Sequence, residues 1–122
     1  MSWTIRLHSV VEAWYLELCE DDPVTAGGIE DALDLLVIEG PTVGRPLVDR
    51  VKGSRYQNMK ELRPPSAGPS EIRMLFAFDP AREAIVLVAG DKSGRWESWY
   101  QTAIPLADER FAEHLIALKE EG

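Results

Sequence analysis

The chain has 122 residues, of which 45% are hydrophobic and 28% are charged, and its formal net charge is −8. This length predicts a single domain over residues 1–122, because a second hydrophobic core has no room. No apolar run approaches the roughly 20 residues that cross a bilayer, so we expect no membrane partner. The first residues lack a signal-peptide pattern, and Cys19 has no second cysteine with which to form a disulfide. The sequence therefore predicts a cytoplasmic protein.

The charges are segregated along the chain. Residues 1–44 hold one Arg and nine acids, a net charge of −8, whereas residues 45–95 hold ten Lys or Arg and six acids, a net charge of +4. Residues 96–122 hold two basic residues and six acids, a net charge of −4. The pI of about 4.7 argues against nonspecific coating of duplex DNA. The basic middle indicates a local site for an anionic ligand, with RNA as the first candidate, although cations that merely edge an exposed sheet would give the same pattern.

The first elements are a strand and a helix. Period-two alternation predicts the strand over residues 3–8. Ser9 followed by Glu12 matches a capping box, which predicts Ser9 as the N-cap of a helix over residues 10–19.

A second helix follows after a proline. Pro23 cannot continue the first helix, and Thr25 is the predicted N-cap of a helix over residues 25–38. Gly40 and Pro41 end it, so the two helices are expected to form a hairpin that lies on a sheet.

The rest of the chain predicts strands and then helices. A loop with a short strand at residues 47–51 precedes three strands, over residues 56–63, 71–78 and 84–89. The third of these is apolar throughout, so we expect it to be covered on both faces. A short helix over residues 95–102 and a last helix that starts at Pro105 complete the chain. The predicted fold class is α+β, with an N-terminal strand and helical hairpin packed on an antiparallel sheet and with C-terminal helices.

Three cations are candidates for a phosphate clamp. Lys60 and Arg73 lie on neighbouring predicted strands, and Lys92 follows the next strand. If Asn58, Lys60 and Arg73 share a face, the face carries two cations and an amide that can hold a phosphate and stabilise phosphoryl transfer. The alternative is an exposed sheet face with ordinary surface cations.

Aromatic residues cluster directly after Lys92. Trp96, Trp99 and Tyr100 stand beside cations, as stacking on unpaired RNA bases requires. They would equally serve to fasten a short helix to the sheet edge. The two histidines, His8 and His114, have no metal-ligand spacing, and no metal site is predicted.

The last two thirds of the chain resemble a known family. The sequence is similar to the HigB/RelE-like toxins of bacterial type II toxin–antitoxin modules, in the phage-derived, actinobacterial-style branch of the RelE/ParE superfamily. The residues that carry the resemblance are Leu62, Arg63, Arg73, Phe76, Asp79, Pro80, Gly90, Asp91, Lys92, Trp96, Trp99, Tyr100, Ile104, Pro105 and Asp108.

The resemblance implies a toxin that arrests growth as a metal-independent mRNA endoribonuclease on the ribosome, without a cofactor. By the resemblance, Lys60 and Arg73 stabilise the phosphate, Lys92 supplies a further cation, and Tyr100 stacks or transfers a proton. RNA contacts are expected from four further residues: Asn58, Arg63, Arg95 and Trp96. The expected partners are mRNA on the ribosome and a cognate helix-turn-helix antitoxin. The alternative is a protein of the same fold without RNase activity, either gyrase-directed or an antitoxin-binding remnant.

Overall fold

The computed structural model describes residues 2–121, which form a mixed α+β fold of five strands and three α-helices. In chain order the elements are β1 Thr4–Leu7, α1 Ser9–Asp21, α2 Pro23–Glu39, a 3₁₀ turn Gly40–Thr42, β2 Val48–Arg50, β3 Met59–Leu62, β4 Ile72–Phe78, β5 Glu83–Asp91 and α3 Trp96–Glu121. The predicted strands and the helical hairpin are therefore confirmed. No helix within the described residues combines the length and apolarity that a membrane span needs.

The strands form one sheet in the order β1-β5-β4-β3-β2. β2 to β5 are antiparallel, as expected, whereas β1 runs parallel to β5 with Ile5 opposite Ala84. The reason is that β1 is not joined to β5 by a turn. The α1–α2 hairpin carries the chain away from β1, and β5 reaches it only after three other strands.

Both faces of the sheet are covered. Ile72, Met74 and Phe76 of β4 pack with buried residues of α1 and α2. The alternate residues Leu75 and Ala77 pack with α3. Each fully buried aliphatic or aromatic side chain contributes about 1.5–3 kcal/mol. The two helical layers explain why β5 is apolar throughout its centre.

The strand β5 contains a bulge. Leu75 lies opposite Val88 and Phe76 lies opposite Val86, so Leu87 is an extra residue without its own partner. Leu87 and Val88 consequently both pack on the α3 side.

The helix starts differ from the predicted caps. His8, not Ser9, caps α1, because its Nδ1 accepts a hydrogen bond from the Val10 N–H at 3.2 Å. Asp22, not Thr25, caps α2 by accepting from the Thr25 N–H at 3.2 Å. The helix begins two residues before the predicted cap, because Pro23 lacks an N–H and fits the first turn.

The prediction of two C-terminal helices is wrong, because α3 is continuous through Pro105. Ala103 and Phe111, on either side of the proline, are both buried against the sheet. Pro105 and Gln101, whose carbonyl loses its helical partner, are exposed, so water is able to satisfy that carbonyl. Burial of the helix therefore outweighs the local cost of the proline.

Two adjacent glycines of α2 allow a matched test of packing. A Cβ at Gly28 would lie 2.5 Å from the Pro65 carbonyl oxygen, whereas a Cβ at Gly27 would meet nothing within 4 Å. We expect Gly28→Ala to lower the free energy of unfolding by about 1–3 kcal/mol through overpacking. Gly27→Ala should raise it by about 0.5–1 kcal/mol, because alanine favours the helix. Urea denaturation measures both, and equal effects of the two substitutions would contradict this packing of α2 on the loop that follows β3.

Candidate functional site

Three cations meet on the α3 face of the sheet. Arg73 lies in β4 between two residues that point to the helical hairpin, so its own side chain lies on the other face. Arg63 directly follows β3, and Lys92 directly follows β5. Because Arg73 pairs with Gly90, the end of β5, which Lys92 follows, lies beside the start of β4. We call Arg63, Arg73 and Lys92 the cationic cluster.

A buried carboxylate joins two members of the cationic cluster. Oε1 of Glu61 lies 2.7 Å from Nε of Arg63 and 3.7 Å from Nε of Arg73. The hydrogen bond to Glu61 raises the pKa of Arg63, and Asp49 contacts the same guanidinium at 3.2 Å. Glu61 was not among the site residues predicted from the sequence. The signal was its position two residues before Arg63, which places both side chains on one face of an extended segment.

Lys92 is the least compensated charge of the cluster. The residue is 6% exposed, and no carboxylate oxygen of residues 2–121 lies within 4.0 Å of its ammonium. Its Nζ lies 4.3 Å from the ring centroid of Trp96 and 5.3 Å from that of Tyr100, as in cation–π contacts. Burial, followed by repulsion from Arg73, lowers the pKa of Lys92.

The second member with an incomplete set of partners is Arg73. Its Nη1 donates to the Ile72 carbonyl at 2.8 Å, but its buried Nε has no hydrogen-bond acceptor. A buried donor without an acceptor costs about 1–3 kcal/mol. An anion placed between Arg73 and Lys92 would supply the missing acceptor and the missing charge.

Tyr100 adds a hydroxyl to the site. Burial and the neighbouring carboxylate of Glu61 raise the pKa of Tyr100, so the phenol keeps its proton at neutral pH. Its ring packs edge-on against Trp99, with 5.0 Å between the centroids. Beside it lies a cavity of about 320 Å³, lined by Arg50, Val51, Lys52, Glu61, Arg63, Tyr100 and Ile104.

Two predicted RNA-contacting residues stand at the rim of the cluster. Trp96 is 59% exposed while its ring covers Lys92. Arg95 is exposed, and its Nη2 donates to the Asp91 carbonyl at 3.0 Å. Trp96 thus offers a free aromatic face directly above a buried cation.

The expected convergence of Lys60 and Asn58 with Arg73 is wrong. Lys60 alternates with Glu61 in β3, so it lies on the hairpin side, where its Nζ is 5.8 Å from the Phe78 ring centroid. Asn58 donates to the Phe78 carbonyl at 2.9 Å, at the far end of β4 from Arg73. Strand register, which the sequence pattern leaves open, decides both placements.

Comparisons with known proteins identify the family of the chain. A family model described as "Phage derived protein Gp49-like (DUF891)" matches residues 23–112, which include the whole cluster. Two Mycobacterium tuberculosis proteins are similar. One, named "Putative toxin HigB2", is 51% identical over 120 residues, which are 98% of this chain and 58% of that protein. The other, named "Putative toxin HigB3", is 53% identical over 112 residues, which are 92% of each chain. This chain therefore spans less than two thirds of the first relative.

A solved structure shares the fold. A mutant of the E. coli toxin RelE in the free state superposes with a TM-score of 0.61, covering 86% of this chain and 97% of that one. The two sequences are 11% identical, so the comparison shows that the chain has a RelE-like fold.

Replacing the buried lysine tests the electrostatic analysis. We expect Lys92→Met to raise the free energy of unfolding by about 1 kcal/mol at pH 7, because an uncompensated buried charge is removed at similar volume. The folded-state pKa of Lys92 is lowered from 10.5, so the unfolded chain binds more protons between that lowered value and pH 10.5. The free energy of unfolding of the wild type therefore rises with pH in that window, and the difference in stability between Lys92→Met and the wild type becomes smaller. Chemical denaturation at several pH values measures this, and a variant advantage that does not change with pH would contradict it.

Proposed function

The chain belongs to the phage-derived Gp49-like family, and from this premise we propose that it is the toxin of a toxin–antitoxin module and cleaves mRNA on the ribosome without a metal ion. The names of the Mycobacterium tuberculosis relatives and the RelE-like fold support the toxin role. The finer assignment, cleavage of RNA, is supported by the chemistry of the cationic cluster.

The single observation that carries the proposal is a buried lysine without a carboxylate partner, near an arginine whose buried Nε lacks a hydrogen-bond acceptor, beneath an exposed aromatic ring. Lys92 has no carboxylate within 4.0 Å among residues 2–121, and the Nε of Arg73 has no acceptor. Trp96 is exposed above Lys92. Phosphate supplies charge and acceptor oxygens, and an unpaired base supplies a stacking partner, so single-stranded RNA matches both features.

The same residues can perform transesterification of RNA. In that reaction Glu61 takes the proton of a ribose 2′-hydroxyl, whose oxygen forms a bond with the adjacent phosphorus. Arg73 and Lys92 stabilise the extra negative charge on the phosphate oxygens. The bond from phosphorus to the 5′-oxygen breaks, and Tyr100 gives its proton to that oxygen, leaving a 2′,3′-cyclic phosphate.

The raised pKa of Tyr100 suits the role of proton donor and not that of base. The phenol is protonated at neutral pH, and a departing alkoxide is far more basic than a phenolate, so transfer towards the 5′-oxygen is favourable. Glu61 lies between Arg63 and Arg73, 2.7 and 3.7 Å from their Nε atoms, which makes it the carboxylate best placed to act as the base. The charge that a metal ion would supply comes here from side chains.

The rim residues extend the proposed RNA path. Trp96 would stack on a base, while Arg95 and Arg63 would contact the backbone. Arg50 and Lys52 line the adjacent cavity and add positive charge there. Lys60 and Asn58 are not included in this path, because they lie on the other face and at the far end of β4.

An antitoxin is the expected protein partner, and we propose that it is a helix-turn-helix protein that covers the cationic cluster with acidic side chains. The net charge of +4 on residues 45–95 favours such a partner. If a neighbouring reading frame encodes a helix-turn-helix protein, that protein is the candidate antitoxin to test for binding.

Removing one cation on each face of the sheet tests the site. We expect Arg73→Gln to lower RNA cleavage by about 100-fold or more and to abolish growth arrest, because charge stabilisation at the phosphate is lost. Lys60→Gln, on the neighbouring strand but the opposite face, should behave as wild type. Induction in cells with mapping of transcript 5′ ends measures both. Growth arrest without new 5′ ends would favour a non-nuclease target such as gyrase. Loss of RNA cleavage in Lys60→Gln but not in Arg73→Gln would contradict a site at the cationic cluster.

The base is tested by a substitution that keeps its shape. Glu61→Gln should slow single-turnover cleavage of a short RNA by about 10²–10⁴-fold, because the amide cannot accept the proton although its oxygen can still accept the hydrogen bond from Nε of Arg63. Asp49→Asn is the matched control, since Asp49 contacts the same guanidinium of Arg63 at 3.2 Å. If both variants cleave at the same rate, Glu61 is not the base.

A further inference from the structure

A second cluster of polar side chains lies at the opposite end of the sheet. Asp79 belongs to the β4–β5 turn, Glu83 is the first residue of β5, and His114 lies on α3. One donor atom from each lies within 4.8 Å of the other two. Arg73 is five residues before Phe78, so the cluster is about 17 Å from the cationic cluster along β4. No metal-ligand spacing is visible along the sequence, because two chain segments far apart in sequence bring these residues together.

The side chains are held in place by the surrounding structure. Oδ1 of Asp79 accepts the N–H groups of Ala81 at 2.8 Å and Glu83 at 2.9 Å, which leaves Oδ2 aimed at His114. Nε2 of His114 lies 2.7 Å from that oxygen, with side-chain exposures of 10% for His114 and 0% for Asp79. The imidazole also stacks on Phe111, with 6.3 Å between centroids. These contacts therefore orient Asp79 and His114 before any metal ion binds, as outer contacts do for the ligands of known metal sites.

We propose that Asp79, Glu83 and His114 bind a zinc ion, which clamps α3 to the β4–β5 turn. One imidazole nitrogen and two carboxylate oxygens form a donor set that suits Zn²⁺ better than Mg²⁺ or Ca²⁺. Two carboxylates and a neutral imidazole also balance the charge of a divalent cation. The inference is independent of the proposed RNA cleavage, which uses other residues.

Binding requires two small changes in the cluster. Zinc bonds of about 2.0–2.1 Å in tetrahedral geometry separate neighbouring ligand atoms by roughly 3.3 Å. Asp79 and His114, now hydrogen-bonded at 2.7 Å, must therefore move apart, and Nε2 must be the nitrogen of the neutral imidazole that carries no proton. A cleft of about 390 Å³ that borders His114 leaves room for a water as fourth ligand.

Arg6 competes with the metal ion. Its Nη1 lies 3.3 Å from Oε2 of Glu83, and its side chain is 49% exposed. An exposed guanidinium can swing into solvent at little cost, because surface ion pairs contribute about 0–1 kcal/mol. Removal of this cation should consequently strengthen metal binding without touching any ligand.

Titration of the purified chain with ZnCl₂ tests the proposal. At a hundredfold excess of zinc over Kd we expect the Tm of the wild type to rise by on the order of 10 °C. Co²⁺ in place of zinc should give visible absorption bands of a tetrahedral site. Glu83→Gln should lose both signals, while Arg6→Gln should bind zinc more tightly than the wild type.

The two variants form a matched pair because both break the same Arg6–Glu83 ion pair. Without metal they should therefore have similar Tm values, and only zinc should separate them. Glu113→Gln, which alters an exposed acid of the same cleft, should keep the wild-type response. No Tm rise in the wild type, or an equal rise in Glu83→Gln, would overturn the proposal.

Discussion

The carboxylate of Glu61 is the contact on which the arrangement of the site depends. It lies between the guanidinium groups of Arg63 and Arg73, 2.7 and 3.7 Å from their Nε atoms, in a residue that is 4% exposed. Without this anion, two arginines and Lys92 would repel one another in a setting of low dielectric constant. With it, three cations share one sheet face, and Lys92 is left without a carboxylate partner. That imbalance makes the site attractive to an anion.

The site is held by rigid elements and has a cost in stability. Strands β3, β4 and β5 place Glu61, Arg73 and Lys92, while α3 supplies Trp96 and Tyr100. A buried lysine without a carboxylate and a buried guanidinium nitrogen without an acceptor both destabilise the free protein. An interior selected for stability alone would have apolar residues there. Such local conflicts are expected where a ligand completes the set of interactions.

The sequence predicted most of the fold but only part of the site. Alternating patterns identified the strands and the hairpin because each apolar face has a helical layer to pack against. The break at Pro105 was wrong, since burial of Ala103 and Phe111 outweighs one lost hydrogen bond. The faces of Arg73 and Lys60 depend on β3–β4 register, which no local pattern specifies. Glu61 was missed because an acid acquires this role only when two arginines meet it in space.

The pKa of Lys92 itself is the most direct test of the account. In the protein without RNA, the pKa of Lys92 lies below 10.5 because the ammonium is buried near Arg73. NMR titration of the lysine side chains, with and without a short 2′-O-methyl RNA that cannot be cleaved, follows that pKa. We expect the RNA to raise the pKa of Lys92, because a bound phosphate stabilises the ammonium. Binding of the RNA with no change in that pKa would contradict an anion site at the cationic cluster.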